Sequence, residues 1–294
     1  MAPRLSISKL IVSRLRKLSP RRGIEYSFTF IGFIIVIIIA LMALLAPFIA
    51  PYDPIQQNVG KSLTSPNAKF IMGTDNLGRD LFSRIIYGSR IVMHVTLLSM
   101  ALSSLIGVSL GLLSGYVGGK PDSILSLVMD SMYAFPSLIL AIIIAYMLGP
   151  GVLPTSISLT VVYIPTYFRM IRGYVLSIKE SLFIEAARAT GAKGRTIMFK
   201  YIFPNVIPSL PIVLSINAAD AVLTLAALNF LGLGIAAPTP DWGFDLKKGH
   251  EFLAAKFWWP STFPGLMIVL LTLGFSLFGE GLNEILNPRL REGV

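Results

Sequence analysis

There is no cysteine among the 294 residues. Disulfides, thiolate metal sites and thiol nucleophiles are excluded at once. Histidine occurs twice, at His94 and His250, too few for a recognisable metal cluster. The GxxxxGK[ST] phosphate loop is missing, so the chain does not bind ATP by that route. No catalytic set of a hydrolase is visible, and no internal repeat stands out. Charge is scarce as well: 14% of residues are charged, against about 25% in soluble domains. What fills the space is apolar, 54% of the chain. Several runs exceed the ~18–20 apolar residues that cross a bilayer. The fold class read from this is all-α and integral to the membrane. The formal charge of +10 would suit nucleic acid, but its distribution accounts for it otherwise.

Residues 1–25 hold seven Lys and Arg against Glu25 alone, a basic N-terminal tail. The core FTFIGFIIVIIIALMALLA within 26–52 is the first span, ended by Pro47 and Pro51. It is too long for a signal-peptide core and lacks a small-residue cleavage site, so it is retained. Residues 53–90 read as an outer loop with a turn at Gly73 to Asn76 and a short helix from Arg79. The second span covers about 91–115, and its Gly107, Gly111 and Gly115 predict close helix packing. The third covers 123–148, where Pro136 either kinks it or separates an interfacial helix from the span. The fourth runs from Pro154 to about Met170 with a kink at Pro165, the fifth over 207–235, the sixth over 263–283. With six transmembrane helices and both termini cytoplasmic, the inner segments hold 17 of the 25 Lys and Arg and the outer ones 8. That bias is the positive-inside rule, and it removes the need for a nucleic-acid partner.

One long polar interruption stands in the apolar second half, ESLFIEAARATGAKGRTIMFKYIFPNVIP, residues 180–208. Ser181 or Glu180 could cap a helix there, and Gly191 sits where it would end left-handed. By composition alone it is a basic amphipathic helix on a membrane surface. Its spacing is more specific: Glu185, Ala186 and Ala187, three residues, Gly191, nine residues, then an apolar stretch closed by Pro204. This resembles the EAA loop of ABC importer permeases, with Tyr201 where Ile is usual and Phe203 where Leu is usual. The strings GTDNLGRDLFSRIIYGSR, FLGLG with PTPDWG, and GEGLNEILNPRLREGV resemble the dipeptide, oligopeptide and nickel branch of that family. Asn229 there replaces the usual Ser, and Asn287 a commoner Asp.

The resemblance covers nearly the whole chain and implies a type I ABC importer-like permease fold. It implies a tail at 1–25, a first transmembrane helix with its outer loop at 26–90, and a five-helix core at 91–294. The coupling loop at 174–206 would dock on an ATPase through Leu182, Phe183, Ala186 and Ala187, with Glu185 pairing or capping, Gly191 turning the chain and Pro204 closing the motif. A sister permease, two ABC ATPase subunits carrying ATP and magnesium, and an extracellular solute-binding protein are the implied partners, in a cell membrane. No cofactor is expected in this chain. Peptides are the default substrate, with nickel and oligosaccharides carried by related systems.

Acids inside spans are costly and usually functional. Asp220 is the deepest; Asn217, three residues before it, shares its face. Asn229 lies on the same span. This polar face either lines a translocation pathway or makes a buried structural hydrogen bond. Asp130, Glu280 and Glu284 lie nearer the cytosolic ends. The alternative function is a gradient-driven secondary transporter coupled through these acids, which would favour inverted repeats and broken helices. Only the permease reading explains the EAA spacing.

Overall fold

A backbone that crosses lipid must satisfy its own hydrogen bonds, and here it does so as helices. The computed structural model describes residues 23–286, with side chains for 26–283. The basic residues of the N-terminal tail, the side chain of Glu284 and the segment from Asn287 on lie outside the described residues. The elements are α1 (Gly23–Leu44), α2 (Leu81–Val117), α3 (Gly119–Tyr133), α4 (Ser137–Leu148), α5 (Val152–Lys179), α6 (Leu182–Ala189), α7 (Leu210–Leu231), α8 (Trp242–His250) and α9 (Trp259–Leu286). Among the described residues the one extended pairing is an isolated bridge, Thr74 with Asp80.

Stretches 26–44, 81–117, 194–231 and 259–283 are long and apolar enough to cross a membrane, and α3 with α4 makes a fifth if counted as one bent span. Helix α5 is long enough too, about 42 Å for its 28 residues. Arg169, Arg172 and Lys179 make its far end polar, and in its first half Thr155, Ser156, Ser158 and Thr160 each donate a hydroxyl to the carbonyl four residues back. The four hydroxyl residues are buried among neighbouring helices.

Two expectations are corrected and one open alternative is narrowed. The short helix placed at Arg79 and the second span are one unbroken α2, capped at Asp80, whose carboxylate accepts from the Ser83 N–H. At Pro136 the chain turns by 93° between α3 and α4, so it is divided into two helices there rather than gently kinked. The helical run into the fifth span starts earlier than 207, with turns from Gly194 into α7. Pro204, Pro208 and Pro211 each lack an N–H donor, and the run passes through a π segment at Ile197–Ile202 and a 3-10 turn at Ile207–Ser209 before regular α7.

The central pair is α2 against α5. A Cβ on Gly107 would lie 2.6 Å from Tyr167 Cβ, and one on Gly111 2.7 Å from the Phe168 carbonyl oxygen. The small-residue stripe therefore packs backbone to backbone, as its spacing predicts. Around this pair, α1 lies along α9, and α7 fills the space between α9 and α5.

Candidate functional site

Helix α6 hangs from one end of the central pair. Ile184 is fully buried, packed with Val108 and Leu112 of α2, Ile171 and Val175 of α5, and Ile197 and Ile202. Its backbone ends in a Schellman pattern: the Gly191 N–H bonds the Arg188 carbonyl at 2.9 Å, and the Ala192 N–H bonds the Ala187 carbonyl at 3.0 Å. Gly191 has φ +81° with open space where a Cβ would be. Ser181 occupies the N-cap, but its hydroxyl donates back to the Ile178 carbonyl at 2.6 Å and caps nothing.

One turn fixed from below leaves the opposite face free. Leu182 is 83% exposed and Phe183 47%. Glu185 and Ala186 are exposed with them, while Ala187 turns inward beside Ile184. Pro204 is exposed on the helical run leading to α7, beyond the loop itself. Arg188, Lys193, Arg195 and Lys200 surround the helix with exposed positive charge. Just above, Arg172 of α5 pairs with Asp122 of α3 through Nε at 2.6 Å and Nη2 at 2.8 Å. Lys179 donates to the Tyr116 carbonyl at 2.8 Å. These bonds tie α5 to α3 and α2 next to α6, and among the described residues no group on α6 is arranged for catalysis.

Between α4, α5 and α7 lies a cleft of about 470 Å³. Asn217, Asp220 and Tyr163 line it together, with Tyr133 and Phe135 at the α3–α4 bend. Tyr163 donates its hydroxyl to Asp220 Oδ2 at 2.7 Å. The shared face of Asn217 and Asp220 is real. Asn229 does not belong to it: the residue is 1% exposed, and its Oδ1 accepts the Ile235 N–H at 2.8 Å, closing the turn after α7. Its carboxamide shapes the loop towards α8, and so it is removed from the pathway set.

A feature that sequence reading missed lies at the other end of α2, about 55 Å from its α6 end. Arg84, fully buried, donates through Nη2 to Asp245 Oδ1 at 2.7 Å and through Nε to both carboxylate oxygens at 3.1 Å. Its Nη1 reaches the Pro54 carbonyl at 2.9 Å. Trp242 is buried against Gly88 and donates to the Ile85 carbonyl at 2.9 Å. The strings containing GRDLFSR and PTPDWGFD are therefore two halves of one buried junction, an outcome no local pattern announces. The only hint was a lone Arg84 between Leu81 and Ile85 in an apolar frame.

Within this junction Asp241 caps α8, accepting the Phe244 N–H at 2.9 Å, while its Oδ2 finds no partner. Burial raises its pKa from 3.8 to about 7, helped by the charge of Asp245. Burial also pushes Asp245 up, opposed by Arg84. The folded Asp241 thus holds a proton that the unfolded chain gives up near pH 4. Its contribution to stability falls as pH rises from about 4 to about 7 and is then constant. Asp241→Asn, which cannot ionise, should melt higher than the native protein at pH 8 and nearly with it at pH 4. Thermal midpoints in detergent across that range check the sign.

Comparison with known proteins places these features in context. Residues 107–292 match the family model described as binding-protein-dependent transport system inner membrane component. Residues 28–66 match the N-terminal TM domain of oligopeptide transport permease C. The chain is 39% identical over 268 residues to the dipeptide transport system permease protein DppC of Haemophilus influenzae, covering 89% of this chain and 90% of the relative. It is 35% identical to the probable D,D-dipeptide transport system permease protein DdpC of Escherichia coli K12, over 87% of this chain and 86% of that one. It is also 35% identical to the glutathione transport system permease protein GsiD of Pectobacterium atrosepticum, over 88% and 86%.

Proposed function

The chain belongs to the family of binding-protein-dependent transport system inner membrane components, and from that premise we propose that it forms half of a peptide pathway whose energy arrives through α6. It is a multi-pass membrane protein of the inner membrane and a permease subunit. The proposed partners are a sister permease across the cleft, two ATPase subunits that bind ATP and magnesium, and an extracellular solute-binding protein. Peptides are the substrate class favoured by the names of its relatives. Six spans with both termini in the cytosol fit the distribution of Lys and Arg.

The observation that carries this reading is the build of α6. A helix meant only to lie on a lipid surface would present one continuous apolar face. Here Ile184 is plugged into the bundle while Leu182, Phe183 and Ala186 point away from it, a two-sided connector. In proteoliposomes holding all five subunits, dialanine should accumulate only with ATP inside. Uptake that persists on an ion gradient after the ATPases are omitted would favour a secondary transporter instead. Orientation has its own check, on a background free of native thiols. Ser65→Cys should react with an impermeant thiol reagent on intact cells, and Thr196→Cys only after lysis. Labelling of Thr196→Cys from outside would overturn the topology.

A further inference from the structure

We propose that the α4–α5–α7 cleft reads the amino-terminal end of a peptide, Asp220 accepting its α-ammonium group. This rests on the chain being a peptide permease and states what the pathway recognises.

Asp220 is open to the cleft, and one of its oxygens is already held, by the Tyr163 hydroxyl at 2.7 Å. That hydroxyl is itself 3.3 Å from Thr224 Oγ1, so the carboxylate is fixed in orientation. Its Oδ1 is free, and among the described residues no Lys or Arg forms an ion pair with it. A carboxylate left without a counter-ion inside a span is expensive, and the usual reason is a cationic or protonic partner that comes and goes.

Asn217 stands three residues before Asp220 on the same helical face and lines the same cleft. Its Nδ2 is sealed from that space and lies against the Tyr167 hydroxyl, which donates to Met100 Sδ at 3.3 Å and keeps lone pairs to accept from it. Asp220 is therefore the charged group that the cleft presents. A peptide's first residue carries a charged donor, the complement of that carboxylate.

The remaining walls suit variable side chains. Tyr133 and Phe135 offer aromatic faces that tolerate both apolar groups and cations, and Leu140, Val162 and Ile216 are apolar. A volume of about 470 Å³ lies within the range of small-ligand pockets. A neutral sugar would leave Asp220 uncompensated. A divalent cation would want further ligands, and no group of three His, Cys, Asp or Glu residues is clustered among the described residues.

The test uses this chain purified with its sister permease, without the binding protein, whose own selectivity would mask the effect. Thr166→Cys, on the cleft wall, is the single thiol of this subunit, and its rate of modification by a small methanethiosulfonate is followed. Dialanine should protect it at about tenfold lower concentration than N-acetyl-dialanine, as expected for loss of a charge-assisted hydrogen bond. Asp220→Asn in the same background should erase that difference, and Asp220→Glu should restore part of it. Equal protection by free and blocked peptide in the native background overturns the proposal and leaves the pathway standing. If no peptide protects and Asp220→Asn transports normally in the full complex, the cleft is no pathway and both readings fall.

Discussion

Arg84→Ala should be the most damaging single change in the half of the protein away from α6. It removes every donor that holds Asp245 and leaves a fully buried carboxylate unpaired, together with the orphaned Pro54 carbonyl. Breaking a buried pair from one side costs about 3–5 kcal/mol, a large share of the ~5–15 kcal/mol by which a typical protein is stable. The consequence spreads, because Arg84 ties α2, the segment before it and α8 together in a place with few alternatives. Asp245→Ala should be comparably severe, since it strands the guanidinium. The double change Arg84→Met with Asp245→Leu should cost clearly less than the two single changes added, because neither charge is left behind. The measure is the thermal midpoint of the solubilised protein alongside the amount recovered from membranes. An Arg84→Ala protein that melts with the native one would show that the junction contributes little.

The same junction marks the limit of what the sequence made legible. The all-helical membrane fold, the close packing at Gly107, Gly111 and Gly115 and the left-handed turn at Gly191 follow from local chemistry, and each is present. Such features depend on residues within a turn or two of each other. The start of α2 reads in sequence as a separate short helix because Ser83, Arg84 and Ser89 interrupt the apolar run. They are buried, and Arg84 is satisfied by a partner 161 positions away. The sequence groups Asn229 with the candidate pathway residues of its span for the same kind of reason. Its helix and polarity are visible in sequence, but its true partner, the Ile235 N–H, depends on how the chain folds back after α7. The Asn217 and Asp220 pair was legible because helical periodicity alone puts both on one face. Tyr163, which orients Asp220, comes from α5 and was not.

Ala186→Trp and Gly191→Leu should both uncouple transport, for different physical reasons that can be separated. Ala186 is exposed on α6, so an indole there disturbs nothing in this chain and obstructs whatever seats on that face. The purified subunit should therefore melt as the native one does, while capture of its ATPase subunits and uptake of dialanine fall at least about tenfold, the effect of about 1.4 kcal/mol lost at an interface. Gly191 acts through the backbone. Its φ is +81° and no atom lies within 4 Å of where a Cβ would stand, so leucine meets no steric wall there. It pays instead roughly 1 kcal/mol or more for the left-handed conformation, which loosens the two hydrogen bonds that end α6 and lets the helix tilt about its Ile184 anchor. ATPase capture should persist in this variant, with hydrolysis continuing and little peptide moved. Gly191→Asn, which tolerates that conformation better, should recover much of the coupling. The checks are pull-down of the ATPase subunits, ATP hydrolysis and uptake in the same proteoliposomes. If Ala186→Trp and Gly191→Leu both keep their ATPase and transport at native rates, α6 is not where energy enters. A helix resting on the membrane surface, and with it a gradient-driven carrier, would then be the better account of this segment.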